Sequence, residues 1–499
     1  MFKLLILSNL VSSNKKTKNM LQRKVTTNIS ELNNFFTSSE KVCETVLRII
    51  CSLKLNSKYF KLTGNNRTTY APNEVLTLLL LFPLLQLSNV RAYSQSILGK
   101  LFQGGKDVFY RFKNNEWINW RSISYHVTMK LIQKSEAHSI GNPTEYKCLI
   151  ADDTDMPKTG WSIELIGRIW SHVSNSSMLG FKGLFLGYHD GKSFYGLDFS
   201  LHGEKGKNEK KPYGLSPKQT KNRFTKSRSK DSAASNRKTE YFMKKTESLL
   251  LMIRLAISKR LSFNYLLVDS WFVSDGLISF VLGCKKKFHL LGMTKMGKTR
   301  YNYNEKAMTA KELVEKQKRN KKVKRSRKLN VWYSYVDVDF KGNQVRLFFC
   351  KTTQRGNWNV LLTTNNKLDF EEAYRIYSIR WSVEVFFKEA KGHLMLGKSQ
   401  SLDFDAQIAD TTISMLQYNI LSLAKRFLDY ESMGEMFKQA GKETLELTIV
   451  EKIWGYLIEL LSIISELFEI EMEEILDKIA SDDHAITKII KMKAALDAA

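Results

Sequence analysis

The spacing of apolar residues changes from a helical to a strand-like period near residue 146. Apolar positions recur at helical spacing through 30–55 and 75–102, as in helices that bury one face. The densest apolar run, 75–87, is shorter than the ~20 residues needed to cross a bilayer, and it contains Pro83. It therefore predicts a buried core helix, and we expect residues 1–145 to form a helical region.

Short strand-like runs follow. The runs that predict strands are 147–151, 184–188, 193–201, 264–268 and 290–293. Asp190-Gly191 joins the second run to the third and is typical of a hairpin turn. A helix is predicted over 241–258. The first and fourth runs each end at an aspartate, Asp152 and Asp269 respectively.

A second group of strand-like runs precedes a return to helical spacing. Runs 331–340, 345–350 and 360–364 predict a β-rich unit, and helical spacing returns over 370–393. The predicted fold class is mixed α/β with helical regions at both ends. Its parts after the helical start are 146–296 (strands and a helix), 297–368 (β-rich unit), 369–430 (helical) and 431–499 (acidic helical region).

Charge separates a basic body from an acidic end. The 499 residues hold 78 Lys+Arg against 50 Asp+Glu, a net charge of +28, although 431–483 is acidic. Because positive charges in such excess repel one another unless a polyanion neutralises them, nucleic acid is the expected partner. Segments 203–240 and 314–328 are rich in Lys/Arg and predict solvated, mobile loops. Aromatic and basic residues alternate over 107–121, which is typical of a nucleic-acid surface or of an aromatic core with a basic rim.

Carboxylates and cations are the candidate reactive groups. A strand end leaves an aspartate accessible, as we expect for Asp152 and Asp269, although such residues are also common in turns and helix caps. A helix over 370–393 would carry five polar residues on one face: Tyr377, Arg380, Glu384, Lys388 and Lys391. An ion pair between Arg380 and Glu384 at i,i+4 is the alternative interpretation.

These residues resemble a known family. Its motifs are matched by Asp152-Asp153-Thr154, by Val268-Asp269-Ser270-Trp271, and by Tyr-x2-Arg-x3-Glu-x6-Lys at Tyr377, Arg380, Glu384 and Lys391. They look like the DDE transposases of bacterial insertion sequences, in the subgroup with the Tyr-Arg-Glu-Lys signature, over about residues 107–425. The resemblance implies a ribonuclease-H-like core interrupted by the β-rich insertion. It also implies that Asp152, Asp269 and Glu384 are catalytic and bind metal, with Asp153 as the alternative to Asp152.

The resemblance also implies roles for the remaining candidates. Two Mg²⁺ ions, with Mn²⁺ as a substitute, are the expected cofactors, since hard carboxylate ligands suit them and the five isolated cysteines form no zinc motif. Tyr377, Arg380, Lys388 and Lys391 are expected to bind DNA phosphates. Trp358 resembles the family's base-stacking tryptophan.

The expected function is that of a DNA transposase in the bacterial cytoplasm, associated with the nucleoid and not with a membrane. It would bind the terminal inverted repeats of its element in double-stranded DNA, cleave there and join the 3′ ends to target DNA. The alternatives are a metal-dependent nuclease without strand transfer and an inactive DNA-binding relative. Apolar positions at helical spacing over 449–479 predict packing on the chain's own core or a homodimer contact in a paired-end complex.

Overall fold

The chain divides into two compact units, Met1–Phe437 and Lys438–Ala499. The computed structural model describes residues 42–60, 62, 70–96, 105–137, 146–428, 430, 432–443, 470 and 474. In the second unit the described residues 438–443 are helical, and the apolar stripe over 449–479 lies outside the described residues except for 470 and 474. Among the helices of these described ranges, none has the length and apolar character that a membrane crossing requires.

Helices make up the described part of the chain before residue 146. They are α1 (Val42–Ser52), α2 (Pro72–Leu81), α3 (Val90–Gln95), α4 (Lys106–Lys113) and α5 (Trp120–Ala137), with a 3₁₀ turn at Ser57–Phe60. The predicted core helix is α2, in which Leu76, Leu79, Leu80 and Leu81 are buried and which ends before Pro83. Over 107–121 the structure has the aromatic core, since Phe109, Phe112 and Trp120 are buried. Arg121 also points inward, with its Nε 2.8 Å from the Asp198 carboxylate.

A mixed sheet lies at the centre of the first unit. Its first six strands are β1 (Cys148–Pro157), β2 (Gly167–Ser171), β3 (Ser176–His189), β4 (Phe194–His202), β5 (Tyr265–Val268) and β6 (His289–Thr294). β1 lies between β3, which is antiparallel to it, and β5, which is parallel, and β5 is parallel to β6. The predicted hairpin is confirmed as β3–β4. At its turn Gly191 adopts φ 105°, and the Asp190 carboxylate accepts hydrogen bonds from the amides of Lys192 and Ser193.

Four helices connect or cover these strands: α6 (Pro217–Lys221), α7 (Ala233–Tyr241), α8 (Lys245–Ser258) and α9 (Asp275–Gly283). The helix predicted over 241–258 corresponds to α8, which begins four residues later. Ser274 caps α9 by accepting a hydrogen bond from the Leu277 amide at 3.3 Å.

The predicted β-rich unit continues the same sheet. It contains β7 (Arg300–Tyr303), β8 (Lys306–Thr309), α10 (Ala310–Arg319), β9 (Lys324–Ser326), β10 (Val331–Phe340), β11 (Asn343–Lys351) and β12 (Asn359–Thr363). β12 pairs antiparallel with β6 through four residue pairs, from Val360↔Thr294 to Thr363↔Leu291. The ladder therefore runs β2-β3-β1-β5-β6-β12-β11-β10-β7-β8 without a break.

The predicted loops at 203–240 and 314–328 contain helices and a strand, although most of their Lys and Arg side chains are exposed to solvent as predicted. The first segment contains α6 and α7, and beside them Arg228 is buried with its guanidinium 2.6 Å from Glu164 and 2.8 Å from Asp405. The second contains the end of α10 and β9; Val314 and Ser326 are buried, and most of its Lys and Arg side chains are exposed. In the first segment, Lys226 and Arg228 pair with Asp403 and Asp405, which are far away in sequence, so composition alone misled the prediction.

The last helices are α11 (Phe370–Ser378), α12 (Trp381–His393) and the buried α13 (Phe404–Leu428). Two further predictions, on the helix over 370–393 and on Asp152, need correction. The single helix predicted over 370–393 is two helices, because the amide of Arg380 bonds to the Tyr377 carbonyl three residues back rather than four. Asp152 does not end its strand, since β1 continues to Pro157. What ends beside Asp152 is the pairing with β5, at Ala151↔Val268.

Candidate active site

Asp152 and Asp269 occupy equivalent positions on two parallel neighbours. Each is the residue that follows the last pair of the β1–β5 ladder, Ala151↔Val268. Beyond that pair the two backbones no longer bond to each other, so the carboxylates meet at an opening of the sheet. The Asp152 side chain is 15% exposed. The geometry thus brings the two predicted aspartates together.

Arg380 connects Asp152 to Glu384. One guanidinium nitrogen of Arg380 lies 2.8 Å from Oδ2 of Asp152, and another lies 2.5 Å from Oε1 of Glu384. Arg380 is the residue before α12 and Glu384 lies on its first turn, so the break between α11 and α12 positions both. The ion pair considered from the sequence is therefore present, and it extends to a third residue on β1.

The two aspartates are held in an environment that disfavours their charge. Burial raises the pKa of Asp152 to about 7; Arg380 opposes this rise and the charge of Asp269 adds to it. Burial also raises the pKa of Asp269, with Asp153 contributing to the rise. Burial works to lower the pKa of Arg380, but Tyr377, Asp152 and Glu384 outweigh it and the pKa is raised. Burial therefore favours the neutral form of both carboxyls, and Arg380 opposes this effect at Asp152.

Tyr377 and Lys391 lie on either side of this cluster. The Tyr377 hydroxyl donates to the Val268 carbonyl at 3.4 Å, and its ring centroid is 5.7 Å from the Arg380 guanidinium. Burial raises the pKa of Tyr377 to about 12, so it remains a hydrogen-bond donor at neutral pH. Lys391 donates to the Thr154 hydroxyl at 2.6 Å, and burial lowers its pKa.

Asp153 faces a different partner. Side chains alternate along a strand, so Asp152 and Thr154 reach Arg380 and Lys391 while Asp153 forms an ion pair with Lys245 at the start of α8. Sequence reasoning missed Lys245, because 92 residues separate the pair and no local pattern marks it. The Lys245 ammonium also lies 5.0 Å from the ring centroid of Trp271.

The other two predicted residues lie apart from these contacts. Lys388 is exposed on α12 and interacts with the neighbouring Glu389. Trp358 is half-buried immediately before β12, with the Lys351 ammonium 5.0 Å and the Lys318 ammonium 5.8 Å from its ring. Trp358 therefore belongs to the β-rich insertion, beside the basic segment 314–328.

The carboxylate oxygens are ligands of the type that a hard divalent cation prefers. Within the described ranges, no group of three or more His, Cys, Asp or Glu side chains is arranged to hold an ion. Asp152 and Asp269 fit such an ion, since its charge would favour the ionised carboxylates that burial, and to a smaller extent mutual repulsion, disfavour. Glu384 fits as a third ligand once the Arg380 guanidinium has moved away from it.

Comparison with known proteins finds one family model that matches part of the chain. Residues 243–420 match the model of the transposase DDE domain. This DDE segment includes Asp269, Tyr377, Arg380, Glu384 and Lys391, whereas Asp152 precedes it. No curated protein matches the chain significantly. A solved structure of the piggyBac transposase synaptic complex with hairpin DNA matches with a TM-score of 0.39 and 13% identity, over 84% of this chain and 80% of that chain.

Proposed function

We propose that this chain is a DDE transposase of a bacterial insertion sequence, of the subgroup with the Tyr-Arg-Glu-Lys signature. It binds the terminal inverted repeats of its element, cleaves the DNA there and joins the 3′ ends to target DNA. The observation that carries the proposal is the convergence of Asp152, Asp269 and the Arg380–Glu384 pair at the opening between β1 and β5. The match of the DDE segment supports it.

The fold is consistent with a ribonuclease-H-like core. A hairpin strand antiparallel to β1, two strands parallel to it and a β-rich interruption before the Glu384 helix are the features that the resemblance implies. In this proposal 146–296 and 369–430 form the core and 297–368 forms the insertion. Residues 1–145 contribute to DNA binding.

Asp152, Asp269 and Glu384 would hold two Mg²⁺ ions, or Mn²⁺ in their place. Bound there, the ions would supply an activated nucleophile and stabilise charge on the leaving oxygen. We assign Asp152 rather than Asp153, because Asp153 is paired with Lys245 away from Arg380. Once its guanidinium is no longer paired with Glu384, Arg380 would be able to bind a phosphate near the cut.

The remaining cations would hold the DNA. Lys391 donates to Thr154, two residues beyond Asp152, so it can hold the phosphate next to the cut as a point charge. Tyr377 stays protonated and can donate to a phosphate oxygen. Lys388 is exposed on α12, one turn after Glu384, and would contact the DNA backbone further from the cut. Trp358 would stack on a base displaced from the duplex.

The proposed assembly is a homodimer that pairs two element ends, since joining both ends at one target requires two active sites. The acidic stretch 431–499 is the proposed contact, and like charge would keep it away from DNA. The bacterial cytoplasm, at the nucleoid, is the proposed location.

A strand-transfer assay tests the function. The DNA flanking the gene should contain inverted repeats bounded by short direct repeats, and duplexes ending in these repeats are the substrates. With Mg²⁺, precut ends should become joined to a plasmid target. Cleavage of uncut ends without joining of precut ends would instead assign a metal-dependent nuclease, and binding without either reaction would assign an inactive relative.

A further inference from the structure

The loop after β5 presents a tryptophan outward beside the acids. Trp271 is 56% exposed, while the next residue, Phe272, is 1% exposed. The Trp271 amide donates to the Asp269 carboxylate at 3.0 Å, and the Phe272 amide donates to the Asp269 carbonyl at 3.3 Å. Since Phe272 anchors the loop in the core, the backbone of Trp271 is fixed relative to a proposed metal ligand.

The ring of Trp271 is also held from one side. The Lys245 ammonium lies 5.0 Å from its centroid, a cation–π contact, and the same ammonium is bound by Asp153. Asp153 is adjacent in sequence to Asp152 on β1, so the tryptophan is connected to both strands that carry the aspartates. One ring face thus contacts Lys245, and the large exposed area leaves room for a flat partner.

A fixed, exposed aromatic ring next to cations suits one class of ligand. Single exposed aromatics are common on protein surfaces and require no explanation by themselves. Here, however, the ring is fixed within two residues of Asp269, where a DNA phosphate must lie during cutting. An unpaired nucleobase next to that phosphate offers a π-face of matching size, and such stacking is largely independent of base identity.

We infer that Trp271 is a stacking platform for an unpaired nucleobase next to the cut phosphate, and that Lys245 is a positioning residue that orients the ring. The inference rests on the proposed function and deepens it, because it requires the DNA beside the acids to be locally unpaired. Trp358 lies in the insertion with its own lysines, so the two tryptophans would contact different nucleotides.

The test uses the full chain and two DNA probes without divalent metal. One probe is a blunt duplex; the other carries a single-stranded 3′ overhang containing the fluorescent base 2-aminopurine. Wild-type protein should quench the overhang fluorescence by stacking. Trp271→Ala should lose most of this quenching and bind the overhang probe about tenfold more weakly, while blunt-duplex binding stays unchanged. Trp271→Phe should retain most of both.

Matched variants separate stacking from folding. Trp170→Ala removes another exposed tryptophan, 45% exposed on β2, and should behave as wild type. Lys245→Met should give intermediate quenching that Lys245→Arg restores, as expected for orientation of the ring. If Trp271→Ala does not fold, Trp271→Leu keeps the apolar bulk without a π-face and should show the same loss.

Two results would overturn the inference alone: wild-type quenching by Trp271→Ala, or loss of quenching in Trp381→Ala with Trp271→Ala unaffected. Trp381 is the relevant competitor because it is 62% exposed and follows Arg380. Failure of the wild-type protein to bind either probe would overturn the proposed function as well, so the two failures are distinguishable.

Discussion

The guanidinium of Arg380 donates a hydrogen bond of 2.8 Å to the carboxylate of Asp152. With its second contact to Glu384, the guanidinium occupies the position between β1 and α12 where a cation would otherwise bridge the two acids. In the absence of metal this arginine is therefore the main counter-charge of the cluster. A DNA phosphate would compete with the carboxylates for the guanidinium of Arg380. A metal ion would compete with this guanidinium for the carboxylates.

Replacing Arg380 should show how much the metal-free protein depends on this counter-charge. We expect Arg380→Met to lower the stability of the metal-free protein by ~1–3 kcal/mol, because it leaves the carboxylates of Asp152 and Glu384 without their shared donor. Thermal unfolding with and without Mg²⁺ measures the effect, and added Mg²⁺ should raise the midpoint of the variant more than that of the wild type. Arg346→Met, which breaks the Arg346–Asp337 pair on the insertion, is the control and should show no added response to Mg²⁺. An Arg380→Met protein as stable as wild type would contradict this account.

Replacing any of the three proposed metal ligands should reduce DNA cleavage without weakening DNA binding. Asp152→Asn, Asp269→Asn and Glu384→Gln should each reduce nicking of end DNA by ~10²-fold or more in Mg²⁺, while gel shifts show binding largely retained. Asp275→Asn is the matched control, because Asp275 is half exposed and pairs with Lys341 rather than with the cluster. Loss of nicking in Asp153→Asn with retention in Asp152→Asn would exchange the roles of the two neighbours.

Asp152 should also make the metal-free protein sensitive to pH. Its pKa rises from 3.8 to about 7 on folding, so between these values the folded state keeps a proton that the unfolded state releases. The contribution of Asp152 to stability should therefore fall as pH rises from about 4 to 7 and remain lost above 7. Asp152→Asn should be more stable than wild type at neutral pH by up to ~4 kcal/mol, and the gain should vanish in acid. Thermal unfolding across this range in a metal chelator tests it; a variant less stable at every pH would refute it.

The basic segment 314–328 should supply electrostatic affinity without sequence preference. Lys321, Lys322 and Arg327 are exposed, and changing all three to Gln should reduce the slope of log K against log salt by about 0.9 for each DNA phosphate that the protein no longer neutralises. Specific and random duplexes should weaken alike. Lys205, Lys207 and Lys210 changed to Gln remove the same charge from the other basic segment, and an equal effect there would mean that only net charge matters. Weaker binding confined to the terminal sequence would make 314–328 a base reader.

Trp358 should act after the first cut. If the hairpin route of the resembled family applies, the freed 3′-hydroxyl attacks the opposite strand, and the sharp bend displaces a base that an aromatic ring can stack on. Trp358→Ala should spare the first nick and reduce hairpin product several-fold, which denaturing gels resolve. Tyr335→Ala, another exposed aromatic of the insertion, is the control. Equal loss at both steps would indicate that Trp358 supports folding.

The sequence predicted what depends on local periodicity. The β3–β4 hairpin and the strand segments that lead to Asp152 and Asp269 are present, since alternation and turn residues are properties of adjacent positions. The pairs of Arg228 with Glu164 and of Lys245 with Asp153 were not predictable, because each joins segments far apart in the chain. The break before α12 was also missed: no Pro or Gly marks it. The functional roles of the site residues stay predictions.

The unbroken pairing of β6 with β12 holds the insertion in a fixed position relative to the rest of the sheet. To move the segment 314–328 relative to Asp152, the protein would have to break backbone hydrogen bonds between β6 and β12 or bend the whole sheet. The span between bound phosphates and the cut is then set by the width of the intervening strands, at about 4.8 Å each. The fold itself would then set the distance from the bound phosphates to the cut, and footprints on the two ends of the element should begin at one constant offset from the cut.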